Sequence, residues 1–166
     1  MRLPRYLKAE WIDLDLPTRP DPEVEEWTPR LVQKLKEQTI SDLVDMLEAS
    51  GKIGNPTKLK NEMSLRERKA PTAIGQSIAI PHVRSMQAKE MVIGFARCAV
   101  GLPWDAPDEV PVRIFIPLVA PPYDDKLYLL VYQRLAEVLL EDWTIDALLE
   151  VEEPGEVIRI LSSQMG

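Results

Sequence analysis

A chain of 166 residues, 45% hydrophobic and 28% charged, carries enough apolar side chain for a sizeable core and needs no disulfide framework. Its single cysteine, Cys98, excludes an intrachain disulfide and the cysteine-rich zinc and iron–sulfur sites, and points to a reducing compartment. A net charge of −7 argues against generic nucleic-acid binding, and no apolar run approaches a membrane span or the core of a signal peptide, so the expectation is a cytoplasmic protein without direct membrane insertion.

Trp11 to Leu16 alternates apolar and acidic residues, the pattern of a half-buried strand. A proline-rich connection follows at about 17–29, and Thr28-Pro29 then offers a helix N-cap with proline at the first helical position. Leu31, Leu35, Ile40, Leu43, Val44 and Leu47 recur at helical spacing up to Gly51 or Gly54. Asn55-Pro56-Thr57 opens a second helix running towards Pro71. Three short segments rich in β-branched residues and bounded by Gly and Pro read as strands: Ile78 to Ile80, Met91 to Ala96 and Val112 to Ile116. A long helix is expected from Asp124-Asp125, another from Asp142 or Thr144, and a last one from Pro154. Helices on both faces of a small mixed sheet would bury this set of apolar faces, so the predicted class is α/β with three α/β/α layers, in one domain over residues 1–166. Trp27, Trp104 and Trp143 are expected in the core.

The charge is uneven. Seven basic and two acidic residues lie from Lys52 to Arg84, against three basic and ten acidic from Ala120 to Gly166. Such a basic stretch is either the solvated face of a helix or a field suited to an anion. The only histidine, His82, closes it. No metal-binding constellation, GxxxxGK[ST] loop, GxGxxG or GxSxG motif is present, so no metal is expected. Gly75-Gln76-Ser77 reads as a turn, Ile78 to Ile80 as a buried strand and Pro81 as its stop, which puts His82 at the mouth of a loop. A neutral imidazole there is a nucleophile near pH 7, and phosphoryl transfer asks for little beyond positioning and positive charge.

The run Leu65-Arg-Glu-Arg-Lys-Ala-Pro-Thr-Ala-Ile-Gly-Gln-Ser-Ile-Ala-Ile-Pro-His82 resembles the signature of the type-2 IIA domains of the bacterial phosphotransferase system, in its fructose/mannitol and nitrogen-regulatory branches. The similarity continues through Gly101 to Asp108 and Pro111 to Pro121. The resemblance implies the mannitol-type IIA fold and the role of a phosphoryl carrier that needs no cofactor. Phospho-HPr would donate to His82, and the group would pass to a IIB or remain as a regulatory mark on a IIA that acts on a target protein. By position in the motif, Arg66 matches the arginine that clamps the phosphoryl group. Thr72, Gly75 and Gln76 match the phosphate-binding loop. On the residues alone, Arg66 could instead pair with Glu62 at helical spacing, and Thr72 could serve turn chemistry.

Two departures from the family pattern stand out. The second histidine that many members carry at the start of the following helix is replaced here by Leu127 or Tyr128, and the loop reads Gly-Gln-Ser where the family favours Gly-Asn-Gly. The alternative function is therefore a non-catalytic interaction module that keeps the IIA fold and has lost phosphotransfer.

Overall fold

The computed structural model describes residues 2–165. Two short 3-10 turns, Leu3–Arg5 and Ala9–Trp11, lead into β1 (Ile12–Asp13). Two helices follow, α1 (Pro29–Glu48) and α2 (Pro56–Lys69). Then come seven strands: β2 (Ala73–Gly75), β3 (Ile78–Ala79), β4 (His82–Arg84), β5 (Val92–Ile93), β6 (Phe95–Leu102), β7 (Val112–Phe115) and β8 (Leu118–Ala120). The chain ends in α3 (Asp125–Leu139), α4 (Asp142–Glu150) and α5 (Pro154–Met165). Among the described residues no helix is long and apolar enough to cross a membrane.

The strands form a five-stranded sheet in the order β1-β6-β7-β3-β2 and a three-stranded sheet in the order β4-β8-β5. One small mixed sheet was the expectation, and proline explains the division. The segments carrying β3–β4 and β7–β8 run side by side, paired parallel in both sheets, and each is interrupted by a proline, Pro81 or Pro117. Proline has no N–H to give the ladder. Pairing nevertheless resumes at once on either side, because Ile116 N donates to Ala79 O at 3.0 Å and Leu118 N to Pro81 O at 2.9 Å. The result is a seam between two sheets, and His82 is the first paired residue beyond it, opposite Leu118.

Strand alternation then builds the layers. Ile78, Ile80, Phe95, Ile114, Ile116 and Leu118 pack with Val131 and Leu135 of α3, Leu148 of α4 and Leu161 of α5. Ala79, Ala96, Cys98 and Phe115 turn to the other face, against Leu35 and Leu43 of α1. Val92 and Val119 join Val44 and Leu47 of α1 and Leu59 and Met63 of α2. A side chain at Gly94 would lie 2.6 Å from Met46 Cε and 2.9 Å from Leu47 Cδ2, so glycine there is what lets α1 approach the sheet.

All five predicted helices are present. Thr28 and Asn55 accept from Leu31 N and Lys58 N as N-caps. At α4 neither Asp142 nor Thr144 caps: Glu141 holds that position without a side-chain bond. The strand expected from Trp11 to Leu16 shrinks to Ile12–Asp13, because the Asp13 carboxylate accepts from Asp15 N at 2.9 Å and turns the chain. Residues 17–28 of the proline-rich connection form neither helix nor strand, Pro29 already belonging to α1, yet the connection is tied along α1 where Thr18 N donates to Asp42 Oδ2 at 3.0 Å. Trp104 is buried and Trp27 packs against the core. Trp143 is 47% exposed and is a surface residue.

Candidate functional site

β4 presents His82 and Arg84 on one side of the strand, since alternate residues share a face. Above them the last turn of α2 brings Arg66. An open groove of about 610 Å³ is lined by Arg66, His82, Val83, Arg84, Pro122 and Tyr128. The loop mouth expected for His82 is therefore a strand end at the seam, which holds the imidazole more firmly than a loop would.

Two contacts set the state of the ring. Nδ1 lies 2.6 Å from the Ile80 carbonyl oxygen. That oxygen can only accept, so Nδ1 carries the proton. Nε2 lies 3.4 Å from Arg66 Nη2, and a guanidinium only donates, so Nε2 presents its lone pair to the groove. The Tyr132 ring packs against the imidazole at 4.4 Å between centroids, and Tyr128 stands 6.0 Å away. Burial among these groups pushes His82 below its ordinary value of 6.5, with a smaller opposing effect from the Ile80 carbonyl and a further lowering from the Arg66 charge. The ring is neutral at pH 7. Burial likewise pushes the Tyr128 phenol up to about 12, which keeps it protonated and able to donate.

Arg66 is oriented from its own helix end. Its Nη1 donates to Ala70 O at 2.9 Å, satisfying a carbonyl beyond the last turn of α2 and leaving the other arm over His82. Its hydrogen-bond partners are thus Ala70 and His82 rather than Glu62.

Its neighbour Glu67 points inward. Lys36 and Glu67 are each 2% exposed. Glu67 Oε1 accepts from Lys36 Nζ at 3.1 Å, Trp104 Nε1 at 2.9 Å and Thr72 N at 3.1 Å. Its Oε2 accepts from Thr72 Oγ1. Asp105 Oδ2 takes a second Lys36 bond at 3.0 Å, and the ammonium lies 5.2 Å from the Trp104 ring centroid. This buried knot fixes the turn that carries Arg66. Sequence reasoning passed it over. The signal was available: Lys36 falls on the inward stripe with Val32, Leu35, Thr39 and Ile40, where an unpaired lysine would not be tolerated.

Of the sequence-predicted site residues, the structure brings Arg66 to His82. Thr72, Gly75 and Gln76 are not among the residues lining the groove. The side-chain and backbone donors of Thr72 go to Glu67. Gln76 N donates to Asp108 Oδ2 at 2.8 Å, and Gly75, at φ +98°, supplies a backbone conformation that a β-carbon would strain. The hairpin is in this way tied to the β6–β7 connection. Tyr128 rather than Leu127 faces the imidazole: Leu127 packs against the core, and Tyr128 lines the groove. Tyr132 and Arg84 are additional members of the site. Strand and helix spacing relative to His82 and Tyr128 would have found both.

The chain matches the family described as "Phosphoenolpyruvate-dependent sugar phosphotransferase system, EIIA 2" over residues 27–164. It is 27% identical over 127 residues to the PTS system fructose-specific EIIA component of Haloferax volcanii, covering 76% of this chain and 82% of that protein. It is 28% identical over 129 residues to the PTS system fructose-specific EIIABC component of Bacillus subtilis, covering 78% of this chain but only 20% of that longer protein. The solved nitrogen regulatory protein IIA-Ntr of Neisseria meningitidis has the same fold, with a TM-score of 0.79 at 25% identity over 96% of this chain and 98% of that one. Motif, fold and family match agree, and this chain belongs to the type-2 EIIA family of the phosphoenolpyruvate-dependent phosphotransferase system.

Proposed function

We propose that this protein is a phosphoryl carrier that takes the group on Nε2 of His82. The observation that carries the reading is the pair of contacts on the imidazole: Nδ1–H held by the Ile80 carbonyl and the Nε2 lone pair directed at Arg66. Such a ring is a ready nucleophile at neutral pH and needs no base to deprotonate it. The donor is phospho-HPr. As the donor's P–N bond breaks, its electron pair returns to the donor nitrogen. The Nε2 lone pair forms the new N–P bond, and the proton on Nδ1 stays in its bond to Ile80. Arg66 then turns from the nitrogen to the phosphoryl oxygens, where a guanidinium gives charge-assisted bonds. Thr72 supports this step through Glu67, and Gly75 and Gln76 shape the neighbouring hairpin.

The relatives include fructose-specific and nitrogen-regulatory members. The onward step is correspondingly transfer to a IIB or retention of the group as a signal to a target protein.

Intact-mass measurement after incubation with phosphoenolpyruvate, Enzyme I and HPr tests the reading. The expected result is one acid-labile phosphoryl group on the wild type and none on His82→Ala. An unmodified wild type, beside a control IIA that the same donor phosphorylates, would instead make the chain a non-catalytic interaction module.

A further inference from the structure

A phosphoryl group on His82 brings a charge between −1 and −2 and three oxygens into the groove. A guanidinium in a bidentate grip holds two oxygens, and Arg66 already spends an arm on Ala70. Among the described residues that line the groove, Arg84 is the one other permanent cation and none is a carboxylate. Arg84 leaves β4 on the same side as His82, two residues on, so its stem starts about 7 Å away along the strand. Its guanidinium lies 5.6 Å from the centroid of the Tyr128 ring, the same ring that flanks the imidazole.

What holds Arg84 aside is an ion pair with Asp125, in the first turn of α3. Both partners are exposed, 45% and 60%, and ion pairs so placed are weak and readily exchanged. Nothing in the fold depends on that pair in the way that the α2 turn depends on Lys36–Glu67.

We propose that Arg84 is the second phosphoryl-binding arginine of the site, parked on Asp125 in the unmodified protein and transferred along the Tyr128 ring to the phosphoryl oxygens once His82 is modified. Asp125 is then a competitor for the phosphoryl group's own ligand. It sets how far the transfer equilibrium lies towards His82. The proposal rests on the reading of His82 as acceptor.

Opposite effects of the two partners test it. The equilibrium ratio of phosphorylated carrier to phosphorylated HPr is read by intact mass for the wild type, Arg84→Ala, Arg84→Lys and Asp125→Asn. Loss of charge-assisted bonds in Arg84→Ala is expected to lower the ratio about tenfold. Arg84→Lys should recover part of it. Asp125→Asn, which frees the arginine, should raise the ratio about two- to fivefold, the size expected for an exposed ion pair. A merely structural ion pair predicts that Arg84→Ala and Asp125→Asn shift together, and that result would overturn the proposal. So would an Arg84→Ala ratio equal to wild type. A wild type that takes no phosphoryl group from a working donor overturns the reading of His82, and this proposal with it. Normal acceptance with an inert Arg84 overturns this proposal alone.

Discussion

His82 sits where proline ends one ladder and another begins, with a carbonyl on Nδ1, a guanidinium at Nε2 and a tyrosine ring across its face. Its folded pKa lies below the ordinary 6.5, so the unfolded chain binds more protons in the window below that value. This group's contribution to stability is therefore present above pH 6.5 and lost as the pH falls through the folded pKa. An NMR titration of the ring Cε1–H should give a midpoint under 6.5; a midpoint at or above it would mean that the imidazole is better solvated than the structure shows. A second residue-scale test concerns the hairpin. Gln76 and Ser77 have φ of +53° and +67°, the two positive angles of a type I′ turn, which favours Asn-Gly. Ser77→Gly should stabilise the protein by about 0.5–1 kcal/mol, the left-handed cost net of glycine's entropy. Chemical denaturation would show the gain as a higher midpoint, and a lower one would contradict this account of the turn. His82 and Arg66 were legible in the chain because the motif names them. Tyr132 and Arg84 belong to no motif, and only their spacing, four residues from Tyr128 on a helix and two from His82 on a strand, points to them.

Helices declared themselves better than strands. α1 and α2 announce their starts with Thr28-Pro29 and Asn55-Pro56, and both caps form. β2, β4 and β8 are three residues each, too short for period-two alternation to register. β8 is also hidden behind Pro117, which from sequence alone reads as a strand stop. The buried pair of Lys36 on α1 and Glu67 on α2 joins the two helices under the site. Glu67→Ala would leave the ammonium with Asp105 alone, and the donors of Trp104 and Thr72 would lose their acceptor. The expected cost is about 3–5 kcal/mol, measured by urea unfolding, together with weaker phosphoryl acceptance because the Arg66 turn loses its anchor. Replacing both partners, Lys36→Met with Glu67→Leu, should recover the part of the loss that comes from the unpaired ammonium, while the Trp104 and Thr72 donors stay without an acceptor. A single variant as stable as wild type would show that the knot does not hold these helices.

At the scale of the whole molecule, an acidic chain gathers two of its 20 cationic side chains around its one histidine. The net charge is −7, yet the described residues that line the groove around His82 include two arginines and no carboxylate. Local positive potential of this kind favours a phosphoryl group. The three-layer architecture supplies the rest: α1 and α2 pack one face of the strands, α3 to α5 the other, and the seam between the two sheets opens at the edge where α2 and α3 approach His82. That layered plan was legible from the order of elements. The seam was not, since it depends on two prolines, 81 and 117, lying side by side in the folded chain.

The most direct test of the central claim is a long-range ¹H–¹⁵N correlation of the imidazole, recorded before and after phosphorylation by the HPr system. A proton on Nδ1 in the free protein and a phosphoryl group on Nε2 afterwards is the predicted result. A phosphoryl group on Nδ1, or an unmodified His82 in a phosphorylated sample, would contradict it.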